Sequence, residues 1–314
     1  MSSARALRLA VFAALCLIWG TTWSVIRVGL EGIPPFAGVA IRFFIAGVLL
    51  AFLARLLGVR MGRLPNERTL WIVNGVLSFC VSYGVVYWGE QWVPSGLAAV
   101  LFATYPLFVS ILGHFLLPDE RLGWADGVGA LVGFTGVAVL YSADFDQLGG
   151  TRVREASFVM LLAPLASAIA SVAIKRWGKG IHALSLTAPP MILAGVIMGV
   201  VSASSEDLAL IRLDRTSVLA LLYLTIAGSA VTFTLYYWLL SRMQARRVAL
   251  VAFIVPVIAV LIGTLLGEPF TIEVVVGSLL VVSGVAVAGF RSALTPKVPR
   301  PPQRSSGSTP GSRS

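Results

Sequence analysis

Along this chain the apolar residues run in long stretches, separated by short connections that hold most of the charge. A helix rises about 1.5 Å per residue, so a bilayer core of roughly 30 Å needs about 20 apolar residues. Ten stretches approach that length. In the first half they are Leu9–Ile26, Phe36–Ala54, Leu70–Trp88, Ser95–Leu117 and Trp124–Tyr141. In the second they are Ala156–Ile174, Leu184–Val201, Val218–Leu240, Val248–Leu266 and Ile272–Phe290. Glycine and proline fall inside several of them, which lipid-embedded helices tolerate. The pattern predicts an all-α polytopic membrane protein of ten transmembrane helices with no inserted soluble domain.

Composition supports that prediction. Hydrophobic residues make up 57% of the 314 positions and charged residues only 12%, against about 25% charged in soluble domains. Too little polar surface remains to face water on all sides, as the mean hydropathy of +0.89 also indicates. Cys16 and Cys80 both lie in apolar stretches and read as small hydrophobes rather than as a disulfide or metal set. Arg5 and Arg8 before an apolar run imitate a signal peptide, but no small-residue cleavage pattern follows Ile18. The run reads as an uncleaved first span.

Basic residues set the orientation. With the N-terminus inside, eighteen of the 24 Lys and Arg fall on the inner side and five on the outer, while Arg42 lies within a span. Glu67, Asp119, Glu120 and Asp126 are inside and the other ten acidic residues outside. Both termini are therefore expected in the cytoplasm, with the protein multi-pass in the plasma (inner) membrane. The net charge of +10 follows from this topology, with some attraction to anionic lipid, and calls for no nucleic-acid partner. Residues 291–314, rich in Pro, Ser, Gly and Arg, are expected to form a disordered cytoplasmic tail.

The chain also repeats itself weakly. At a shift of 150 positions Tyr87-Trp88 falls on Tyr237-Trp238, Pro106 on Pro256 and Gly113 on Gly263. After a two-residue gap the shift becomes 148, and Glu120 meets Glu268, Gly129 meets Gly277 and Gly136-Val137-Ala138-Val139 meets Gly284-Val285-Ala286-Val287. This divides the chain into a five-helix repeat over 1–141, an external linker over 142–155, a second repeat over 156–290 and the tail. Five spans is an odd number, so the second half enters the membrane the opposite way. Inverted halves of this kind enclose a midplane site in secondary transporters.

Several motifs carry a resemblance: Trp19-Gly20-Thr21-Thr22-Trp23, Pro34-Pro35, Arg42-Phe43 and Tyr87-Trp88, followed by Val93-Pro94-Ser95-Gly96-Leu97, Tyr105-Pro106-Leu107, Asp119-Glu120-Arg121-Leu122 and Gly267-Glu268-Pro269. In this order and spacing the chain resembles the drug/metabolite transporter superfamily, in its ten-span EamA-type branch. The resemblance covers nearly everything but the tail. It implies a secondary carrier that exports amino acids or related amphipathic metabolites by alternating access, or a multidrug efflux carrier of the same fold. Membership does not fix the substrate. No phosphate-binding loop of the P-loop type is present, and no span holds a metal-ligand or nucleophile motif. An embedded enzyme or a sensor without transport is therefore disfavoured, and no cofactor, metal or catalytic residue is expected. The expected partners are a small-molecule substrate and the bilayer, with the protein a monomer or a homodimer.

Candidate residues follow from position. Trp19 lies eleven residues past Arg8, near mid-bilayer, so Trp19 and Trp23 either line a cavity or pack. Arg42, deep in a span, costs about 2.5–3.5 kcal/mol at the bilayer centre; it either meets a substrate carboxylate or, as favoured, holds helix-end carbonyls. Tyr83, Tyr87 and Glu90 share a helical face bordered by Gln91. That face is expected to point inward, with Tyr105 and Tyr237 as further lining candidates. Proton coupling by Glu90 is conceivable, and exposure to the outer loop is the plainer expectation. Glu120 and Glu268, just ahead of the fifth and tenth spans, are expected to complement the N-termini of those helices. Pro106 and Pro256 are candidate kinks or hinges. Gly129 and Gly136, with Gly277 and Gly284, share faces suited to close helix packing.

Overall fold

The computed structural model describes residues 3–118, 123–140, 150–249, 251–268 and 271–294. Glu120, residues 142–149 of the expected linker and the tail beyond Leu294 lie outside the described residues. Among the described residues ten long helical segments follow one another: α1 Ser3–Leu30, α2 Pro35–Leu56, α3 Glu67–Gly89, α4 Ser95–Leu116, α5 Trp124–Leu140, α6 Thr151–Trp177, α7 Ala188–Ser205, α8 Arg215–Arg242, α9 Arg247–Leu265 and α10 Ile272–Leu294. The protein is all-α and polytopic. Eight of these are long and apolar enough to cross a membrane, while α5 and α10 carry shorter apolar stretches, Gly127–Val139 and Ile272–Gly284. Large apolar side chains such as Phe52, Leu131, Phe158 and Leu261 are exposed on the outer faces. In water such a surface would aggregate; against lipid tails it is the expected exterior.

The helix ends obey local chemistry. Pro35 opens α2 from an extended Pro34, and Pro94 precedes α4 in the same conformation; proline fits where no intrahelical N–H is needed. The N–H groups left free there are taken by glutamates from the other half of the chain. Glu206 accepts from Phe36 at 2.7 Å and Ala37 at 2.9 Å. Glu268 accepts from Ser95 at 2.9 Å and Gly96 at 3.1 Å, so it serves the N-terminus of α4 and not, as expected, that of the tenth helix it precedes in sequence. At α8 the Asp214 side chain accepts from the Ser217 N–H at 2.8 Å, and that bond holds its carboxyl below the usual range. α6 begins at Thr151, five residues before the apolar stretch at Ala156 and inside the expected linker. A helix need not stop where its side chains become polar.

Because the capping glutamate of α4 comes from the connection after α9, its loss affects the contact between the halves. Glu268→Ala is expected to lower stability by about 1–2 kcal/mol, read as a lower thermal midpoint in detergent. Glu268→Gln keeps an acceptor and should lose less.

The packing maps onto itself when each helix is exchanged for the one five places on. α2 pairs with α7 and α5 with α10; α1 packs on α9 as α6 packs on α4, and α1 on α8 as α6 on α3. The close approaches repeat in detail. A Cβ on Gly136 would sit 2.6 Å from the Val281 nitrogen and 2.7 Å from the Gly277 oxygen. One on Gly284 would sit 2.4 Å from the Gly133 nitrogen and 2.5 Å from the Gly129 oxygen. Each pair of partners is 148 positions apart. The same shift relates a pair not singled out in the sequence: Gly47 meets Ile192 and Gly195 meets Phe44.

Two further features obey the repeat. Within α3, residues Gly75–Ser82 form a π-helix, and within α8 residues Ile226–Val231 do the same. Such wide turns often mark functional sites. Arg27, on α1, donates to the carbonyls of Glu90 at 2.8 Å and Val93 at 3.2 Å, where α3 ends. Lys175, on α6, donates to Leu240 at 2.8 Å and to Met243, where α8 ends. Lys175 stands 148 positions after Arg27, and each carbonyl of the second pair 150 after its counterpart. A cation at a helix C-terminus offsets the exposed carbonyl dipoles. Two different basic residues thus do one job at opposite ends of the bundle.

Candidate functional site

Where the halves meet, α1, α3, α4, α6, α8 and α9 enclose a cavity of about 80 Å³. This has room for several waters, at about 10–15 Å³ each on this measure. Its walls are aromatic. Trp19 meets Phe233 at 5.4 Å and Tyr236 at 5.5 Å between ring centres, and Trp23 meets Phe102 at 5.6 Å.

The polar groups on these walls are uncharged. Tyr105, Tyr236 and Ser171 form a triangle of hydroxyls: Tyr105 donates to Ser171 at 2.8 Å, Tyr236 donates to Ser171 at 3.1 Å, and the two phenols stand 2.5 Å apart. Ser167 donates to Ser82 at 2.9 Å across the α6–α3 contact. Ser82 follows Ser78, and Ser171 follows Ser167, by four residues, so each pair shares one helical face. Trp19 Nε1 is buried without a hydrogen-bond partner. No Asp, Glu, Lys or Arg is found among the described lining residues.

Sequence expectation and structure meet in part. Trp19, Trp23, Tyr83, Tyr105 and Tyr237 line the cavity. Arg42, Tyr87, Glu90 and Gln91 do not. Arg42 is 0% exposed and bridges α2 to the π segment of α8: Nε donates to Ser229 Oγ at 2.6 Å, Nη2 to the Gly228 carbonyl at 2.9 Å and Nη1 to Tyr87 at 3.1 Å. Its guanidinium lies 4.9 Å from the Tyr83 ring centre, and that ring stands on the cavity wall. Tyr237 lines the cavity yet also donates to Asn74 at 2.7 Å.

Gln91 is exposed and its side chain folds back to the Trp88 carbonyl at 3.0 Å. It lies two residues beyond the end of α3, where the face shared by Tyr83 and Tyr87 no longer continues. Glu90 is not exposed to an outer loop; it is 0% exposed, at an end of α3 where Arg27 of α1 holds its carbonyl and Met160 of α6 packs on Gly89.

The candidate hinges differ from each other. Pro106 follows a turn at Ala103–Thr104 that divides α4, whereas Pro256 sits inside the unbroken helix Val251–Leu265. The serines of α3 and α6, with Phe102, Phe233 and Tyr236, are among the lining residues missed from sequence, as are Thr22 and the aliphatic side chains of α9. The four-residue serine spacing is the signal that would have found the serines.

A cavity made by matching halves of a membrane bundle is a carrier's arrangement, and comparison with known proteins agrees. The sequence profile of the EamA-like transporter family matches twice, over residues 7–142 and 155–290. The chain belongs to the EamA-like transporter family. Among similar proteins, "Uncharacterized inner membrane transporter YedA" of Escherichia coli (strain K12) is 34% identical over 258 residues, 81% of each chain. "Uncharacterized transporter YoaV" of Bacillus subtilis (strain 168) is 27% identical, covering 88% of this chain and 94% of its own. "Protein PagO" of Salmonella typhimurium is 27% identical over 80% of this chain and 82% of its own. A solved crystal structure matches with a TM-score of 0.69 and 19% identity, over 92% of this EamA-like chain and 98% of the other. That likeness concerns the fold. The chain is a membrane transporter by family.

Proposed function

We propose that this EamA-like chain is a secondary transporter that exports small amphipathic metabolites, amino acids or related compounds, by alternating access. One observation carries the reading: a cavity between the halves whose described walls are aromatic and hydroxyl-bearing, with no charged side chain. Such walls suit a solute with an apolar body and little net charge, since a fixed unpaired charge would be costly to desolvate there. The partnerless indole N–H of Trp19 becomes a donor for one acceptor group of the solute as the helices move apart.

In this reading all ten helices cross the bilayer of the inner membrane and both termini are cytoplasmic. The basic bias supports that orientation. The test is an untargeted comparison of culture medium from cells that overproduce the protein and cells that lack it. One metabolite class should accumulate outside the overproducing cells. Identical media would overturn the exporter reading.

A further inference from the structure

α3 and α8 end alike, each with a basic side chain on its last carbonyls, yet differ at one place. Glu90 in the first corresponds to Leu240 in the second. Lys175 caps the Leu240 carbonyl at 2.8 Å just as Arg27 caps that of Glu90, also at 2.8 Å. The cap is built with leucine there, so the Glu90 carboxyl is not part of it.

That carboxyl is fully buried, and neither of its oxygens has a hydrogen-bond partner. A carboxylate enclosed without a donor costs several kcal/mol, far more than the neutral acid. The charged and titratable groups that face it are Glu268, Arg27 and Arg42, with Tyr83 and Tyr87 on its own helix. Burial favours the neutral form most, the Glu268 carboxylate adds to it, and Arg27 and Arg42 oppose both. Neither arginine donates to the Glu90 side chain: Arg27 holds the Glu90 and Val93 carbonyls, and Arg42 holds Ser229, Gly228 and Tyr87. Glu268 is fixed on the α4 N-terminus. One helical turn inward, Val86 lies on the cavity wall, as does Trp23, one turn inward of Arg27. Glu90 therefore stands directly beyond the cavity, at the end where α3 gives way to α4.

We propose that Glu90 is a proton-binding site that is protonated while this end of the cavity is closed and releases its proton to water when the end opens. The proton is taken from water-borne hydronium onto one carboxyl oxygen and is returned to water; no other bond changes. Resting on the transporter reading above, this makes transport responsive to a pH gradient.

The direct test needs no substrate. Infrared spectra of the full chain in lipid nanodiscs, from about pH 5 to about pH 8, should show a protonated-carboxyl carbonyl band that Glu90→Gln lacks. The variant should fold as stably as the parent, because the Arg27 cap uses the backbone. Absence of the band, or a band of equal size in Glu90→Gln, would overturn the proposal. In proteoliposomes carrying the exported metabolite, a one-unit pH gradient should change wild-type flux by up to about tenfold, and Glu90→Gln flux by less than about twofold. Equal responses would overturn the coupling. A wild-type band without movement of any metabolite would uphold the proton site and overturn the transport reading beneath it.

Discussion

Arg42→Ala is expected to lower stability by about 2–4 kcal/mol, and to do so by detaching α2 from α8. Three effects oppose one another. The substitution strips a donor from the Gly228 carbonyl and from Tyr87, each buried orphan costing about 1–3 kcal/mol, whereas Ser229 keeps its bond to the Leu224 carbonyl. It also opens a void among Phe43, Tyr83 and Tyr87, whose rings surround the guanidinium at 4.9–5.9 Å. Against these, a buried cation is removed, which is itself favourable. The balance predicts an order among variants. Arg42→Met, filling the space without charge, should cost less than alanine. Arg42→Lys keeps the charge but cannot serve three acceptors from one plane. Thermal midpoints in detergent check the order; an alanine variant as stable as the parent would show that this bridge contributes nothing.

Gly284→Leu is expected to prevent α10 from docking on α5 and to leave little folded protein. A Cβ at Gly284 meets backbone, with the Gly133 nitrogen at 2.4 Å and the Gly133 Cα at 2.8 Å. Backbone of one helix cannot yield as a flexible side chain does, so the whole helix must shift. Overpacking costs about 1–3 kcal/mol for small additions and more for large ones. Gly284→Ala should therefore already lower the thermal midpoint. Gly127 on α5 is the control, since a Cβ there meets nothing within 4 Å. Gly127→Ala should stabilise slightly, by about 0.5–1 kcal/mol, through helix propensity. Equal effects at the two sites would refute the close-packed α5–α10 contact.

Much of this architecture is legible in the sequence because membrane helices must satisfy their own backbones, so length and apolarity alone locate them. The paired glycines were readable for a similar reason: backbone contact permits only one residue type, and that leaves a mark. Gly47 and Gly195 carried the same 148-residue signature, with Ala46-Gly47-Val48 falling on Ala194-Gly195-Val196, and were legible in the same way. Arg27 and Lys175 were hidden differently. They share a task and not a residue type, and only the carbonyls they hold reveal the correspondence.

The site was half legible. Trp19, Trp23 and the tyrosines declare themselves as large amphipathic groups deep in a bilayer. The serines do not, since hydroxyls commonly bond their own helix and so appear ordinary in any span. The two π segments arise from how helices pack, with no local residue that demands them. Glu90 was misplaced because the packing around it comes from distant parts of the chain: Glu268, 173 positions from Ser95, holds the start of α4, and Met160 packs on Gly89 at the end of α3. Next to it in sequence, Gln91 is exposed while Gly89 is buried, so the local pattern does not decide.

The account turns on the cavity between the halves being the place where a metabolite is held. Purified protein in liposomes, loaded with a broad panel of small metabolites, tests it when wild type is compared with Ser82→Trp. The indole would fill the space between α3 and α6, where Ser82 now accepts from Ser167 at 2.9 Å. Thermal unfolding of both proteins confirms that each is folded. The account predicts that wild type moves at least one amphipathic class and that the filled variant moves it at least tenfold more slowly, roughly a 1.4 kcal/mol effect on the barrier. Equal rates in the two proteins, or no movement of any metabolite by wild type, would contradict it.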